Sequence, residues 1–339
     1  AVLRAGYRAS ATRANLNNHI GVPLTLLELG TGDQFGVIEM GMNHAGEIEP
    51  LARLAQPDIG IVTNIGRAHI EFLGSREAIA VEKGALLRSL PAGGMAIVPA
   101  DCEFRSTLEC NVEAGILSAG IDCGEVMATG LRPDDDGTRC EVVFGGESAA
   151  CRVPLPGRHM VGNAMLAVTA GVIAGIPLAE CCRALGEMVI SEGRLKRRVV
   201  AGVVFLDDSY NANPESMTAA LEVLGNAPGA RKWAALGAMA ELGEFARAAH
   251  AEVGAACAAS RIDGLIAIGE GGGADIAEAA SAAGCPRVER VADAAAAAEL
   301  LAAELAAGDV VLLKGSRAAG VERVLDGFVD LCEPVGGGA

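Results

Sequence analysis

Two short stretches carry residue types that could hold a divalent cation, at places a β-sheet could bring to one rim. FGVIEMGMNHAG (35–46) and IGIVTNIGRAH (59–69) each run from apolar residues into a turn rich in Gly, Asn or His. Each reads as a buried strand that spills into a polar loop. Glu39 falls at the end of the first strand and His69 just past the end of the second. A carboxylate and an imidazole are donors from which a metal site can be built. In an open parallel sheet, ligands bind outside the carboxyl ends of the strands. Taken singly, Glu39 also suits a helix cap or a surface charge, and His69 a satisfied loop histidine. Lys83, in SREAIAVEKGALLRSL (75–90), lies within about one crossover of His69. By itself it suits a solvated helix face.

The elements that must position these groups alternate. AVLRAGYRAS (1–10) reads as the last turns of an amphipathic helix ended at Gly6, with material expected upstream. RANLNNHIGVP is a polar loop closed by Pro23, and 24–29 is a short apolar segment. Helical patterns follow over 47–55 and 75–90, the second with Ser75 as N-cap, and 94–100 is a further strand. Strand, helix, strand, helix, strand implies a parallel sheet with right-handed crossovers. Between 115 and 154 the character changes to strands joined by turn clusters. Asp134, Asp135, Asp136 and Gly137 read as a hairpin turn; a metal site there lacks a ligand-spaced partner. Helices over 157–175 and 178–188 complete the region.

From Gly193 onward the pattern is regular. Apolar strands at 203–206, 233–236, 265–268, 288–291 and 310–313 alternate with helical segments, giving a second, doubly wound domain. The boundary is placed near Ser191, so the domains are 1–190 and 191–339. At carboxyl ends of these strands sit DDSYNANP (207–214), LGAMAELG (236–243) and KGSR (314–317). All three lie on one edge of the sheet, and one site rim is the simplest account. The alternative for DDSYNANP is an Asx-turn cap for the next helix. PGRH (156–159) through Asn163 opens a helix, a natural place for an anion or nucleotide. GEGGG (269–273) resembles a phosphate cradle but lacks the dinucleotide spacing and reads as a turn; no G-x-x-x-x-G-K-[ST] occurs.

Bulk composition narrows the function class. The 339 residues are 51% apolar, ample for two cores, and carry a net charge of −16. That balance argues against nucleic acid and against an anionic membrane surface. Ten cysteines form no C-x-x-C pair, which suits reduced thiols in a cytoplasmic protein. The opening residues show no basic segment followed by an apolar one, so no signal peptide is expected among them. The longest apolar region, 294–307, carries Glu299 and Glu304 and reads as an ordinary helix, so no membrane insertion is expected.

The succession NLNNHIGVP, VIEMGMNHAGEI, TNIGRAHIEFLGS, EKGALL, LPGRH…N, DDSYNANPESM, LGAMAELG…H and LKGSR resembles the Mur ligases, in order and over nearly the whole chain. Within that family it is most similar to the branch that adds D-alanyl-D-alanine to UDP-N-acetylmuramoyl-tripeptide. The DNPR-type motif of a sister branch is absent. The resemblance implies an α/β fold: a central ATPase-type domain, its parallel sheet carrying a small antiparallel β portion, followed by a Rossmann-like doubly wound C-terminal domain. It implies an ATP-dependent amide ligase of cytoplasmic peptidoglycan precursor synthesis, working as a monomer through an acyl phosphate.

Site residues follow by matched position. Glu39 and His69 correspond to magnesium ligands. Lys83 corresponds to a lysine that several Mur ligases carry as a carbamate beside a second Mg2+. His159, Asn163, Arg194 and Asp208 fall on the ATP side, with Arg194 and Lys83 given catalytic roles. Asn17 and Asn18 would line the muramoyl-peptide side. Tyr210, Asn211, Asn213, Lys314 and Arg317 would face the dipeptide or the closing interface.

The chain departs from the family pattern at Met160, at VPADC (98–102) and at Arg13-Ala14. Family members also have a UDP-binding N-terminal domain and a GxxGKT/S phosphate loop, neither of which is in this sequence. The expectation is therefore a chain lacking the first strand and P-loop of its central domain, inactive in ligation by itself. A non-catalytic nucleotide- or peptide-binding paralogue is the alternative from another class. Another Mur-type or a folylpolyglutamate-type ligase is the alternative within the same one.

Overall fold

Three-residue strands open the architecture: Ala9–Ala11 (β1) pairs in parallel with Phe35–Val37 (β2). Between them lies a helix, Gly21–Glu28 (α1). The computed structural model describes residues 1–134 and 136–332; Asp135 of the acidic turn and residues 333–339 lie outside the described residues. Contacts divide the chain into two compact units, Ala1–Val189 and Ile190–Ala339.

The first unit continues through Ile48–Ala55 (α2), Ile59–Ile61 (β3), Ile70–Leu73 (α3), Arg76–Arg88 (α4), Met95–Pro99 (β4), Arg105–Glu109 (α5) and Gly115–Ile121 (β5). Val126–Asp134 (β6), Gly137–Phe144 (β7), Glu147–Val153 (β8), Arg158–Ile173 (α6) and Leu178–Gly186 (α7) complete it. Its main sheet runs β3-β4-β5-β6-β7-β8. The pairs from β3 to β6 are parallel, and β6, β7 and β8 are antiparallel. β4 is covered on both faces, with Ala96, Ile97 and Val98 fully buried. At the β6–β7 turn, Asp134 accepts from Arg139 and Arg152 at 3.2 Å each, and Arg152 also reaches Asp136. Asp134 and Asp136 are thus neutralised by arginines.

Three sequence expectations need correction here. β2 and β3 are not neighbours in one sheet: β2 belongs to the two-stranded sheet with β1, and β3 is the edge of the six-stranded one. Residues 9–11, read as the tail of a helix and a loop, are the strand that pairs with β2. Residues 21–28 form a helix where a polar loop and a short apolar segment were expected. Pro23 falls in its first turn, where proline's missing N–H costs nothing. Asn18 Oδ1 accepts from the Ile20 and Gly21 amides, supplying the local partner that starts the helix.

The second unit comprises Lys196–Val200 (β9), Val203–Asp207 (β10), Pro214–Asn226 (α8), Lys232–Gly237 (β11), Ala246–Ala259 (α9) and Gly264–Ile268 (β12). Gly272–Ala282 (α10), Val288–Val291 (β13), Ala294–Glu304 (α11), Val310–Lys314 (β14) and Glu322–Cys332 (α12) follow. Its sheet order is β13-β12-β11-β14-β10-β9, parallel except for the β9 edge. The order reverses between β11 and β14, the kind of switch point at which doubly wound sheets open a crevice. β12 and β14 are buried along their whole length, and β11 from Trp233 onward, which is why they read as apolar runs. Trp233, Phe205 and Phe328 anchor the core, the two phenylalanine rings meeting edge-on at 4.8 Å.

Candidate active site

In the first unit, Glu39 sits two residues beyond β2. Its amide donates to Thr12 Oγ1 at 2.8 Å, and its Oε1 accepts from Asn17 Nδ2 at 2.8 Å. The structure therefore brings Asn17 and Glu39 together. A Cβ on Gly41 would lie 2.8 Å from Asn17 Nδ2, so the glycine of EMGMN is what lets the two loops close on each other. Asn18 instead spends its side-chain oxygen at the start of α1.

His69 is the left-handed residue, φ 63°, from which α3 starts. Lys83, at the middle of α4, donates to the carbonyl of Asn64 at 2.8 Å. Asn64 belongs to the loop that leads to His69. The preceding residue, Glu82, was not singled out by the sequence reading. It is buried, and its two oxygens accept from the amides of Gly46 and Ile48 at 2.7 and 2.8 Å. A carboxylate facing the first amides of α2 satisfies orphan donors and complements the helix dipole. Adjacent residues of one helix thus fasten two rim loops, the one after Glu39 and the one before His69. An acid within the otherwise apolar buried face of α4 was the signal in EKGALL.

Among the described residues no three His, Cys, Asp or Glu side chains gather as a ready-made metal cage. Magnesium does not need one: it binds through one or two carboxylates and keeps waters and substrate phosphates as its other ligands. Glu39 fits that demand, an exposed hard-oxygen donor held in place from beneath. Lys83 as an ammonium would repel a cation, and only as a carbamate would it supply oxygen ligands. On α6, His159 and Asn163 are four residues apart and share one face, with Asn163 exposed.

The second unit holds a tighter cluster. Segment 193–195 lies along the loop after β10: the Tyr210 amide donates to the Gly193 carbonyl at 3.2 Å, and the Leu195 amide to Asp208 Oδ1 at 3.1 Å. The Arg194 guanidinium stacks 4.5 Å over the Tyr210 ring. Lys314 Nζ, at the end of β14, donates to Asp208 Oδ2 at 2.5 Å and to the Asn211 carbonyl at 3.0 Å. Both Asp208 oxygens are engaged, and Asp208 and Lys314 are 7% and 2% exposed. Burial pushes the Asp208 carboxyl up, against the pull of Lys314 and Arg194, and burial pushes the Lys314 ammonium down. For both partners desolvation outweighs attraction.

Asn213 caps α8 through a reciprocal box with Ser216. That part of DDSYNANP is the cap that the sequence offered as an alternative. Arg317 lies exposed in a short 3-10 turn. The KGSR and LGAMAELG loops are joined by the Ser316 amide donating to the Ala238 carbonyl at 2.9 Å. Beside them a cavity of about 280 Å³ is lined by Ala238, Gly269, Glu270, Asp293, Ala319 and Arg323.

Comparison with known proteins places this arrangement. Residues 1–171 match the Mur ligase middle domain, and residues 193–317 the Mur ligase glutamate ligase domain. The chain belongs to the Mur ligase family. It is 36% identical over 321 residues to the UDP-N-acetylmuramoyl-tripeptide–D-alanyl-D-alanine ligase of Escherichia coli (strain K12), covering 93% of this chain and 69% of that protein. The ligase of the same name from Bacillus subtilis (strain 168) is 33% identical over 336 residues, covering 97% and 72%. Among solved structures, MurF from Acinetobacter baumannii superposes with a TM-score of 0.89 at 31% identity, over 97% of this chain and 72% of that one. MurF from Thermotoga maritima in complex with ADP superposes with a TM-score of 0.87 at 27% identity, over 97% and 75%. The α/β architecture of this Mur ligase is therefore the middle and C-terminal domains of the family, as the motifs implied. Among the described residues no helix is long and apolar enough to cross a membrane.

Proposed function

We propose that this Mur ligase joins D-alanyl-D-alanine to UDP-N-acetylmuramoyl-tripeptide at the expense of ATP, in the cytoplasm and as a monomer. The observation that carries the reading is the colinear match, 33–36% identity over 93–97% of the chain, to curated ligases of that name. In this reading residues 1–190 form the ATP-binding domain and 191–339 the Rossmann-like domain. The tripeptide's terminal carboxylate attacks the γ-phosphorus of ATP, giving an acyl phosphate and ADP. The dipeptide amine then attacks the acyl carbon, phosphate leaves, and the nitrogen gives up a proton to form the amide.

Little covalent chemistry falls to the protein, so positioning and charge stabilisation must supply the rate. Glu39 and His69, with Lys83 as a carbamate, would hold up to two magnesium ions, which neutralise charge on the transferring phosphoryl group. Asn17 fixes the Glu39 carboxylate from the muramoyl-peptide side. His159 and Asn163 offer one polar helix face to the nucleotide. Arg194, held flat on Tyr210, is placed to meet phosphate oxygens. Tyr210, Asn211 and Arg317 remain candidates for the dipeptide. Asp208, Lys314 and Asn213 shape the loop from beneath, because their polar atoms are engaged within it.

The test is ligation by the full-length protein as encoded, rather than by residues 1–339 alone, supplied with ATP, Mg2+, the UDP-linked tripeptide and the dipeptide. Expected are one ADP and one UDP-linked pentapeptide per turnover, the product read by mass. ADP release that ignores the dipeptide would sink the reading.

A further inference from the structure

LGAMAELG and GEGGG are the two motifs of the second unit that the proposed chemistry does not use. They meet at one side chain. His250 lies on α9 and is 3% exposed. Its Nδ1 donates to the Ala246 carbonyl, one turn back, at 2.7 Å. That bond leaves Nε2 bare, and Nε2 accepts from the Met239 amide at 2.8 Å. Met239 belongs to the loop after β11, and its neighbour Ala238 both lines the cavity and holds Ser316 of KGSR.

The third element at the ring is the start of α10. A Cβ on Gly272 would lie 2.4 Å from His250 Nε2 and 2.9 Å from the Ala238 side chain. A Cβ on Gly273 would lie 2.4 Å from the Ile268 carbonyl. These glycines of GEGGG let α10 approach the imidazole and β12; they are contact glycines and not a phosphate cradle. Farther along, a Cβ on Gly254 would lie 2.4 Å from the Ile276 carbonyl, so α9 and α10 are also pressed together.

We propose that His250 is a positioning residue of the ligase: as a neutral imidazole it pins the LGAMAELG loop, and through Ala238 the KGSR loop, in the shape that receives the acceptor dipeptide. The inference rests on the ligase reading for its last step only. Its chemistry is one-sided. A proton on Nε2 would set a donor against the Met239 N–H and a positive charge against the N-terminal end of α10. Burial lowers the imidazole below its ordinary value of 6.5, partly offset by the Ala246 bond and by Asp275 on α10. The unfolded chain therefore binds this proton more readily than the folded one. The stabilisation is whole above pH 6.5 and is lost as pH falls through the lowered value.

The experiment compares His250→Leu, which removes the acceptor, with His250→Gln, whose carboxamide oxygen can replace Nε2. Two quantities are read in the full protein: hydrogen exchange at the Met239 amide, and KM against kcat for D-alanyl-D-alanine. In His250→Leu, Met239 exchange is expected to rise about tenfold or more, and KM by about tenfold with kcat changed less. His250→Gln should restore both. In wild type, Met239 protection should fall as pH drops below 6.5 and through the lowered imidazole value, beyond the change in intrinsic exchange rate; in His250→Gln it should not. Unchanged Met239 exchange in His250→Leu overturns the pin. So does an identical pH response in wild type and His250→Gln, the comparison that decides the matter if the leucine variant does not fold. Faster Met239 exchange with an unaltered KM overturns the role in dipeptide binding. Should wild type fail to ligate at all, the ligase reading falls, and Met239 exchange still tests the pin separately.

Discussion

The candidate groups of the first unit stand at least partly in water, whereas in the second unit exposed groups such as Arg194, Asn211 and Arg317 rest on polar side chains sunk in the protein. Glu39 and Asn163 are exposed, and His69 and Lys83 are partly so. Glu39 is steadied by Asn17 and Lys83 by the Asn64 carbonyl, and Glu82 braces the loop after Glu39. In the second unit Asp208, Lys314 and His250 are buried and bonded to their own loops. The difference separates two ways of building a rim. One presents charge outward and leaves it for a cation and phosphates to complete. The other uses charge internally, to fix backbone that then meets the ligand.

The sharpest way to break that comparison is to treat Lys314 as a surface group. Lys314→Met leaves a buried Asp208 carboxylate without its cation, and should cost about 3–5 kcal/mol in chemical denaturation. Adding Asp208→Asn should return most of that loss. The amide keeps an oxygen for the Leu195 N–H and removes the unpaired charge. Since desolvation outweighs attraction for both partners, the double variant has no large electrostatic deficit to carry. Additive losses in the two single variants would show instead that the pair acts through something other than its charge.

Glu39 should behave in the opposite sense. Glu39→Gln is expected to leave stability within about 0.5 kcal/mol, because the group is exposed and the amide still offers an oxygen to Asn17. Ligation should fall by about 10²-fold or more in kcat, as expected for a lost electrostatic contact to the reacting centre. Urea melts and steady-state kinetics on one preparation would measure both. A variant that loses stability and keeps its rate would move Glu39 from the chemistry to the scaffold.

How much of this was legible beforehand depends on whether the information is local. The strands of the second unit announce themselves, because a strand buried on both faces is a run of apolar residues, as in VVLLK at β14. β1 does not: Ala-Ser-Ala has no such signature and becomes a strand only by pairing with β2, some 25 residues on. α1 was hidden by Pro23, which reads as a stop signal but serves as a first-turn residue. Motifs marked the loops in which polar groups cluster. They could not show that Lys314 faces inward, because its partner Asp208 is 106 residues away. Nor could they show that GEGGG is shaped by a histidine on the preceding helix.

The smallest expected effect tests the brace that the first unit shares with the second in kind. Glu82 is a buried carboxylate behind the exposed rim, and it serves two amides at once. Glu82→Gln keeps the volume but replaces one acceptor with an NH2 group facing a backbone N–H. The cost should be about 1–3 kcal/mol, the penalty of one unsatisfied buried donor. Glu82→Asp should fail similarly, since the shorter arm does not span from α4 to the start of α2. If the brace also aims its neighbour Lys83 at the Asn64 carbonyl, kcat will fall in Glu82→Gln beyond what the stability loss explains. Kinetics well below the melting transition separate those effects. A full rate with reduced stability would mean that Glu82 holds the loop after Glu39 without steering Lys83, and the two loops of the exposed rim would then be set independently.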